Sequence, residues 1–306
     1  MGGSATPGRD ELLAFELALD ERVVDEVRVE SWGRLFMTPS LPLVWDSSWA
    51  GIEQVGLSVD EVIAIADAAL GGEGFAHRTV CALDEADGRR LADAVEAEPA
   101  RWPGWEVERT RYMVWRGGAA PATVPAPASP PRSQKSSDSD EKCECTAVSS
   151  QLSADSAEKC ERQVPGVREV GLDEIEALRR ELIAEEMPDG IDEVEATVDQ
   201  LYELGVRYGA AGGDRWFIAP GAGEPLSACR LLRQGRIGQV EDVGTLERGR
   251  ERGYAQAIVT AAVAAAQAAG DTTVFLTADA ADWPQLLYAR LGFEKVGDLT
   301  ILRRRP

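Results

Sequence analysis

The chain is short of positive charge, of histidine, of aromatic side chains and of long apolar runs. Lys and Arg together number 32 against 53 Asp and Glu, a net charge of −21 over 306 residues. A surface so poor in cations argues against a nucleic-acid binder, because phosphate neutralisation needs a basic face, and it favours a cationic partner. No run reaches the roughly 18 apolar residues of a membrane-crossing helix and no signal peptide precedes the first helix, so no membrane partner and a cytoplasmic location are expected. The five cysteines are an odd number without a secretory context, which argues against a disulfide framework. Cys143, Cys145 and Cys160 lie in a polar segment, but four ligands at structural-zinc spacing are missing, so free thiols and no metal site are expected. The single histidine, His77, is a potential acid or base, although its place at the start of a predicted strand suits a structural role.

What the chain does have is enough apolar sequence, 44% of its residues, to fill two cores. Residues 118–164 divide it. Ala-Pro repeats followed by Ser/Asp/Lys/Glu-rich sequence leave almost nothing to bury, the composition of a flexible linker. The organisation expected is a first domain over 1–117, the linker over 118–164 and a second domain over 165–306.

In the second domain, periodicity predicts a strand at Val167–Val170 and helices from Asp173 to about Glu186 and from about Ile191 to Tyr208. Strands follow at Arg215–Ile218, Pro225–Leu232 and Arg236–Val243. A helix runs from Gly253 to Ala269 with Ala255, Ile258, Val259, Ala262, Val263 and Ala266 at helical spacing. Then come a strand at Thr273–Leu276, a helix with Asp282 as its N-cap and Pro284 in its first turn, and a final strand or hairpin from Phe293.

Two segments carry chemistry. Arg250-Glu251-Arg252-Gly253-Tyr254-Ala255 is a glycine turn opening a helix, and such a turn aims backbone N–H groups and the positive end of the helix dipole at one point, suited to a pyrophosphate. Leu287-Tyr288-Ala289-Arg290-Leu291-Gly292-Phe293 lies near the end. In this order the two resemble the GNAT superfamily of acetyl-CoA-dependent N-acetyltransferases, whose phosphate-binding motif is Arg/Gln-x-x-Gly-x-Gly/Ala and whose last helix carries a Tyr ahead of Leu-Gly-Phe. The run Asp282 to Phe293 is similar to actinobacterial members.

The resemblance implies a mixed α/β sheet with helices on both faces and acetyl-CoA as co-substrate. It implies that the backbone of Val243, Gly244 and Thr245 pairs with the pantetheine arm, that Arg250 through Ala255 cradle the pyrophosphate, and that Tyr288 is the acid for the leaving thiolate. The residue-level alternative for Tyr288 is packing beside Leu291. The candidates for the base are Glu241, Asp242 and a water chain, with Glu241 favoured. Strand alternation puts the two carboxylates on opposite faces, and Glu241 shares parity with Val243. Glu251 stands where the family commonly has Gly, with Arg248, Arg250 and Arg252 placed to offset its charge, and Ala281 stands where an Asn is common.

The first domain reads as a helix at Glu11–Glu26, strands at Arg34–Met37 and Leu41–Trp45, a capped helix from Ser58 to Leu70, then His77–Leu83, a helix Glu85–Ala97 and a strand Val107–Trp115. This ending repeats that of the second domain, so the first looks like a degenerate GNAT-like half. Gly71-Gly72-Glu73-Gly74 has neither the leading basic residue nor a following helix, and no productive acetyl-CoA binding is expected there. Two functions fit. One is an N-acetyltransferase acting on a primary amine of a small molecule or peptide, drawn by an acidic loop of Glu185, Glu186, Asp189, Asp192 and Glu193; the other is a non-catalytic acyl-CoA-binding regulatory protein.

Overall fold

The computed structural model describes residues 7–117, 166–187, 193–220 and 223–306. The expected linker with Cys143, Cys145 and Cys160, and Asp189 and Asp192 of the acidic loop, lie outside them. The first half contains α1 (Arg9–Val23), β1 (Glu26–Glu30), β2 (Gly33–Met37), β3 (Trp49–Ile52), α2 (Val59–Ala66), β4 (Arg78–Ala82), α3 (Glu85–Ala97) and β5 (Trp105–Trp115). The second contains β6 (Arg168–Val170), α4 (Leu172–Glu186), α5 (Val194–Gly212), β7 (Arg215–Pro220), β8 (Pro225–Gln234), β9 (Ile237–Thr245), α6 (Tyr254–Ala268), β10 (Thr273–Asp279), α7 (Pro284–Arg290) and β11 (Phe293–Arg304).

Three expected elements are redrawn. The first helix stops at Val23, because Val24 is already extended (φ −73°, ψ 159°), and Glu26–Glu30, with alternating Val27 and Val29, is a strand. Leu41–Trp45 is not a strand: Pro42 cannot donate to a ladder, and Leu41 and Val44 pack instead with Val23 of α1 and Leu204 of α5. The third strand is Trp49–Ile52, buried throughout. The last helix is flanked by Trp283 rather than Asp282, with Pro284 at its first position; Asp282 accepts a hydrogen bond from the Trp283 N–H at 2.7 Å.

The described residues make one 11-stranded sheet in the order β1-β2-β3-β4-β11-β5-β10-β9-β8-β7-β6. The halves interlock through it. β5, from the first half, lies between β11 and β10 of the second; β11, from the second, lies between β4 and β5 of the first. The β11–β5 ladder runs antiparallel from Phe293↔Trp115 to Arg304↔Trp105 with one irregularity after Lys295. About this central pair β4 matches β10, β3 matches β9, and both of those outer pairs are parallel in an otherwise antiparallel sheet. The described residues fall in one compact unit.

α1 is buried on several sides, at Leu12, Leu13, Phe15, Leu17, Leu19 and Val23. Phe15 meets Phe275 of β10 edge to face at 5.3 Å, while the outer side of α1 packs on α5. A helix enclosed by sheet and helix needs apolar residues all round, so it shows no amphipathic stripe. His77 is buried with its Nε2 2.9 Å from the Ser48 carbonyl, and burial depresses its basicity, in keeping with a structural role.

Candidate active site

The parallel pairs show where the sheet opens. β9 and β10 pair only over Thr273↔Ile237, Val274↔Gly238 and Phe275↔Gln239. Beyond that point β9 stays with β8 as far as Ser227↔Thr245, and β10 stays with β5 as far as Asp279↔Thr110. The strands diverge into a wedge whose β9 edge is the backbone of Val240 to Thr245. Val243, Gly244 and Thr245 therefore lie on the open side expected for them. Their other side is fixed: Ser227 Oγ donates to the Gly244 carbonyl at 2.7 Å, and a Cβ at Gly244 would come within 3.0 Å of Leu182.

The wedge leads to the start of α6. Leu246 to Gly249 tighten through a hydrogen bond from the Gly249 N–H to the Leu246 carbonyl at 2.7 Å, and Gly253 precedes the helix at φ 82°, ψ 7°. Glu251 also has a left-handed backbone, φ 61°, which is why glycine suits that position. Of the arginines expected to offset its charge, Arg248 is already held by Glu181 at 2.5 Å and Glu224 at 3.1 Å. Arg250 donates to the Thr245 carbonyl and stands 3.8 Å from Glu185, whereas Arg252 makes no ion pair among the described residues. Glu185 accepts from the Glu247 N–H at 2.8 Å, so this part of the acidic loop is turned to the turn before α6 rather than standing clear as a rim.

The matching place in the first half is closed. β3 and β4 remain paired to Ile52↔Ala82, and the Leu83 N–H continues the ladder to the Ile52 carbonyl at 3.0 Å. At the start of α2, Ser58 accepts from the Glu61 N–H and Glu61 accepts from the Ser58 N–H at 2.7 Å, a capping box that satisfies donors an anion would use and sets a carboxylate there. Gly71 belongs to a π turn that continues α2, away from any such start.

Glu241 and Asp242 do not alternate as expected. Between Ala228↔Gly244 and Arg230↔Glu241 the ladder spends two residues on β9 against one on β8, and Asp242 has φ 52°. This bulge breaks the period-two rule and lets both carboxylates reach the face of Arg230, the cross-strand partner of Glu241. Their environments differ sharply. Asp242 is ion-paired with Arg179 of α4 at 2.5 Å and Arg230 at 2.7 Å. Burial alone would raise its pKa, but Arg230 and then Arg179 outweigh burial and hold it below the ordinary value. Glu241 has no such partner: its Oε1 accepts from Gln239 at 2.6 Å and Thr277 at 3.3 Å. Burial, then the charge of Asp242, push it up to about 7.

Tyr288 lies on α7 with its ring against Phe293 at 6.2 Å and only 6% exposed. Its hydroxyl makes no hydrogen bond among the described residues. Burial, and after it the charge of Glu241, raise its pKa above the ordinary tyrosine value. Its ring belongs to the same buried cluster as Val240 of β9 and Leu276 of β10, the strands that frame the wedge. Sequence reasoning did not find the residues behind Glu241. Gln239 bridges it to Glu16 of α1, donating to both at 2.6 Å, and Glu16 also accepts from the Tyr112 hydroxyl of β5. No motif marks these residues, since they converge only once the halves share a sheet.

The fold matches known structures over nearly the whole chain. A GCN5-related N-acetyltransferase from Kribbella flavida is 15% identical with TM-score 0.56, covering 99% of this chain and 97% of that one. A conserved protein of unknown function from Staphylococcus epidermidis is 11% identical with TM-score 0.58, covering 92% and 94%. A tandem GNAT protein of clavulanic acid biosynthesis is 11% identical with TM-score 0.47, covering 88% and 77%. No protein-family model and no curated protein matches the sequence. The chain has the GNAT fold, built in tandem, with the second half keeping the open wedge and the first a degenerate copy of it.

Proposed function

We propose that the protein transfers an acetyl group from acetyl-CoA to a primary amine of a small molecule or peptide, at the wedge of the second half. The observation that carries this reading is the divergence of β9 from β10 directly ahead of the glycine turn of α6, with Glu241 on the strand that forms the edge and Tyr288 on the helix that follows β10. Fold alone would not carry it. The residues present suit acetyl-CoA: the free edge of Val243 to Thr245 for the amide-bearing pantetheine, the turn from Arg250 to Ala255 for the pyrophosphate, and exposed Arg250 and Arg252 for its charge.

The amine nitrogen attacks the thioester carbonyl, the C–N bond forms and the C–S bond breaks. As the nitrogen gains positive charge its proton passes to the carboxylate of Glu241, whose pKa near 7 leaves it ionised over much of the neutral range yet basic enough to accept. Asp242, held ionised by two arginines, is a poor acceptor. Tyr288 donates to the departing sulfur. Its raised pKa keeps the hydroxyl protonated, and a thiolate desolvated in the same wedge is itself more basic than in water, so the two remain matched. The excess of acidic residues fits an acceptor that arrives as a cation.

Thiol release from acetyl-CoA by purified protein, tested over a panel of amines, decides the matter. Turnover with at least one amine is expected. Tyr288→Phe retains the packing and should lower kcat by about 10²-fold with acetyl-CoA affinity little changed. Binding of acetyl-CoA without turnover on any amine would transfer the protein to the acyl-CoA-binding regulatory class.

A further inference from the structure

A second pocket lies between α1 and the sheet, where β3 and β4 of the first half and β11 of the second line it. Its volume is ≈160 Å³, room for several waters, and Glu241 does not line it. One wall is apolar, with Leu13 and Leu17 of α1, Trp49 of β3, and Leu299 and Ile301 of β11. The other carries Glu16 and Asp20, one helical turn apart on α1, with Thr79 of β4. Asp46, two-thirds exposed, also lines the cavity, which reaches solvent there.

The polar groups are unevenly satisfied. Arg303 lines the cavity, but its guanidinium is engaged by Asp46 at 2.6 Å and Glu108 at 3.3 Å. Glu16 and Asp20 have only neutral donors: Tyr112 and Gln239 for the first, Tyr208 of α5 for the second. Neither has a lysine or arginine partner among the described residues. Thr79 is 2% exposed, and its hydroxyl has no hydrogen-bond partner. Two half-buried carboxyls lining one cavity without a cation, opposite an aliphatic wall, make a site that lacks its positive charge.

We propose that this cavity binds a compact organic ammonium ion, its charge between Glu16 and Asp20 and its carbon body against Leu13, Leu17 and Trp49. The proposal stands apart from acyl transfer and does not depend on it. Titration supports the geometry. Burial first, then the charge of Glu241, raise Glu16 to about 8, and burial raises Asp20 to about 6. The other titratable groups facing them are Tyr112, Tyr208, Glu21, Glu241, Cys81, Arg303 and Asp46. At pH 7 an entering R-NH₃⁺ therefore meets a largely protonated Glu16, and the ion pair forms as Glu16 releases its proton to solvent.

Calorimetric titration of the full chain with n-butylamine, in two buffers of different ionisation enthalpy and without acetyl-CoA, reads both affinity and proton release. Saturable binding at least tenfold tighter than that of butan-1-ol or butyrate, with up to about one proton released at pH 7, is expected. Glu16→Gln and Asp20→Asn should each weaken the amine at least tenfold, and Glu16→Gln should abolish most of the proton release. Glu241→Gln should still bind the amine within a few-fold of wild type but release less proton, because a charge that helps raise Glu16 is gone; loss of binding in that variant would put the amine in the acyl-transfer site and overturn the proposal. Equal affinity for the amine and the alcohol, or full amine binding by the Glu16 and Asp20 variants, would overturn the proposal. Should either variant fail to fold, the other variant together with Glu241→Gln still decides.

Discussion

Asp242 and Glu251 are the two non-glycine residues with left-handed backbone among those described, and both border the wedge. A non-glycine residue held there costs on the order of 1 kcal/mol, and such residues concentrate where geometry serves function. Glu251→Gly should therefore stabilise the protein by up to about 1 kcal/mol and, by removing a carboxylate from the pyrophosphate turn, tighten acetyl-CoA several-fold. Thermal melts and calorimetry read the two effects, and weaker binding by the variant would mean that Glu251 contacts the cofactor favourably. At Glu241 the base must be ionised, so kcat/KM should rise with pH through about 7, and Glu241→Gln should lose this limb together with most of the rate. A pH profile flat from 6 to 8 would take the role away from Glu241. The glycine turn ahead of α6 and the place of Tyr288 on α7 were legible because they sit in contiguous motifs. The partnership of Glu241 and Asp242 was not, because an alternation rule has no term for the extra residue that a bulge inserts.

Most elements of the second half follow from periodicity to within a few residues, since each helix has one buried face and each strand lies between two others. α1 was legible as a helix but not in its role. Its lack of a stripe is the mark of burial on more than one side, and sequence alone does not say by what. Glu16 within it has a testable consequence for stability. Its pKa is about 8 in the folded chain against an ordinary 4.5, so the folded state binds the extra proton between those values. The stabilisation associated with that proton is complete below about pH 4.5 and is lost as pH rises towards 8. The denaturant midpoint should accordingly fall between pH 5 and 8.5, and Glu16→Gln, which stays neutral, should flatten that part of the curve. An unchanged slope in the variant would show that Glu16 is solvated.

At the scale of the molecule, the sequence shows two similar halves but not their interlock, because a long antiparallel strand looks the same whichever half it joins. β11 has 11 partners on β5 and five on β4, all in the other half of the sequence, so separation of the halves would break the middle of the sheet. Residues 1–117 and 165–306 expressed as two chains in one cell should purify as a one-to-one complex. Each expressed alone should be unfolded or aggregated, having a central strand missing and two exposed edges. A well-folded, monomeric fragment 165–306 with cooperative unfolding would contradict this.

The interlock also sets an order of events during synthesis. Among the described strands β11 emerges last, yet its place is at the centre, between two strands made long before it. Until it arrives, β4 and β5 each present an unpaired edge to the surroundings, and neither half can close on its own residues. The nascent first half must wait, exposed, for a segment about two hundred residues downstream, so the burden of keeping this protein from aggregating falls on the cell during translation more than on the finished fold.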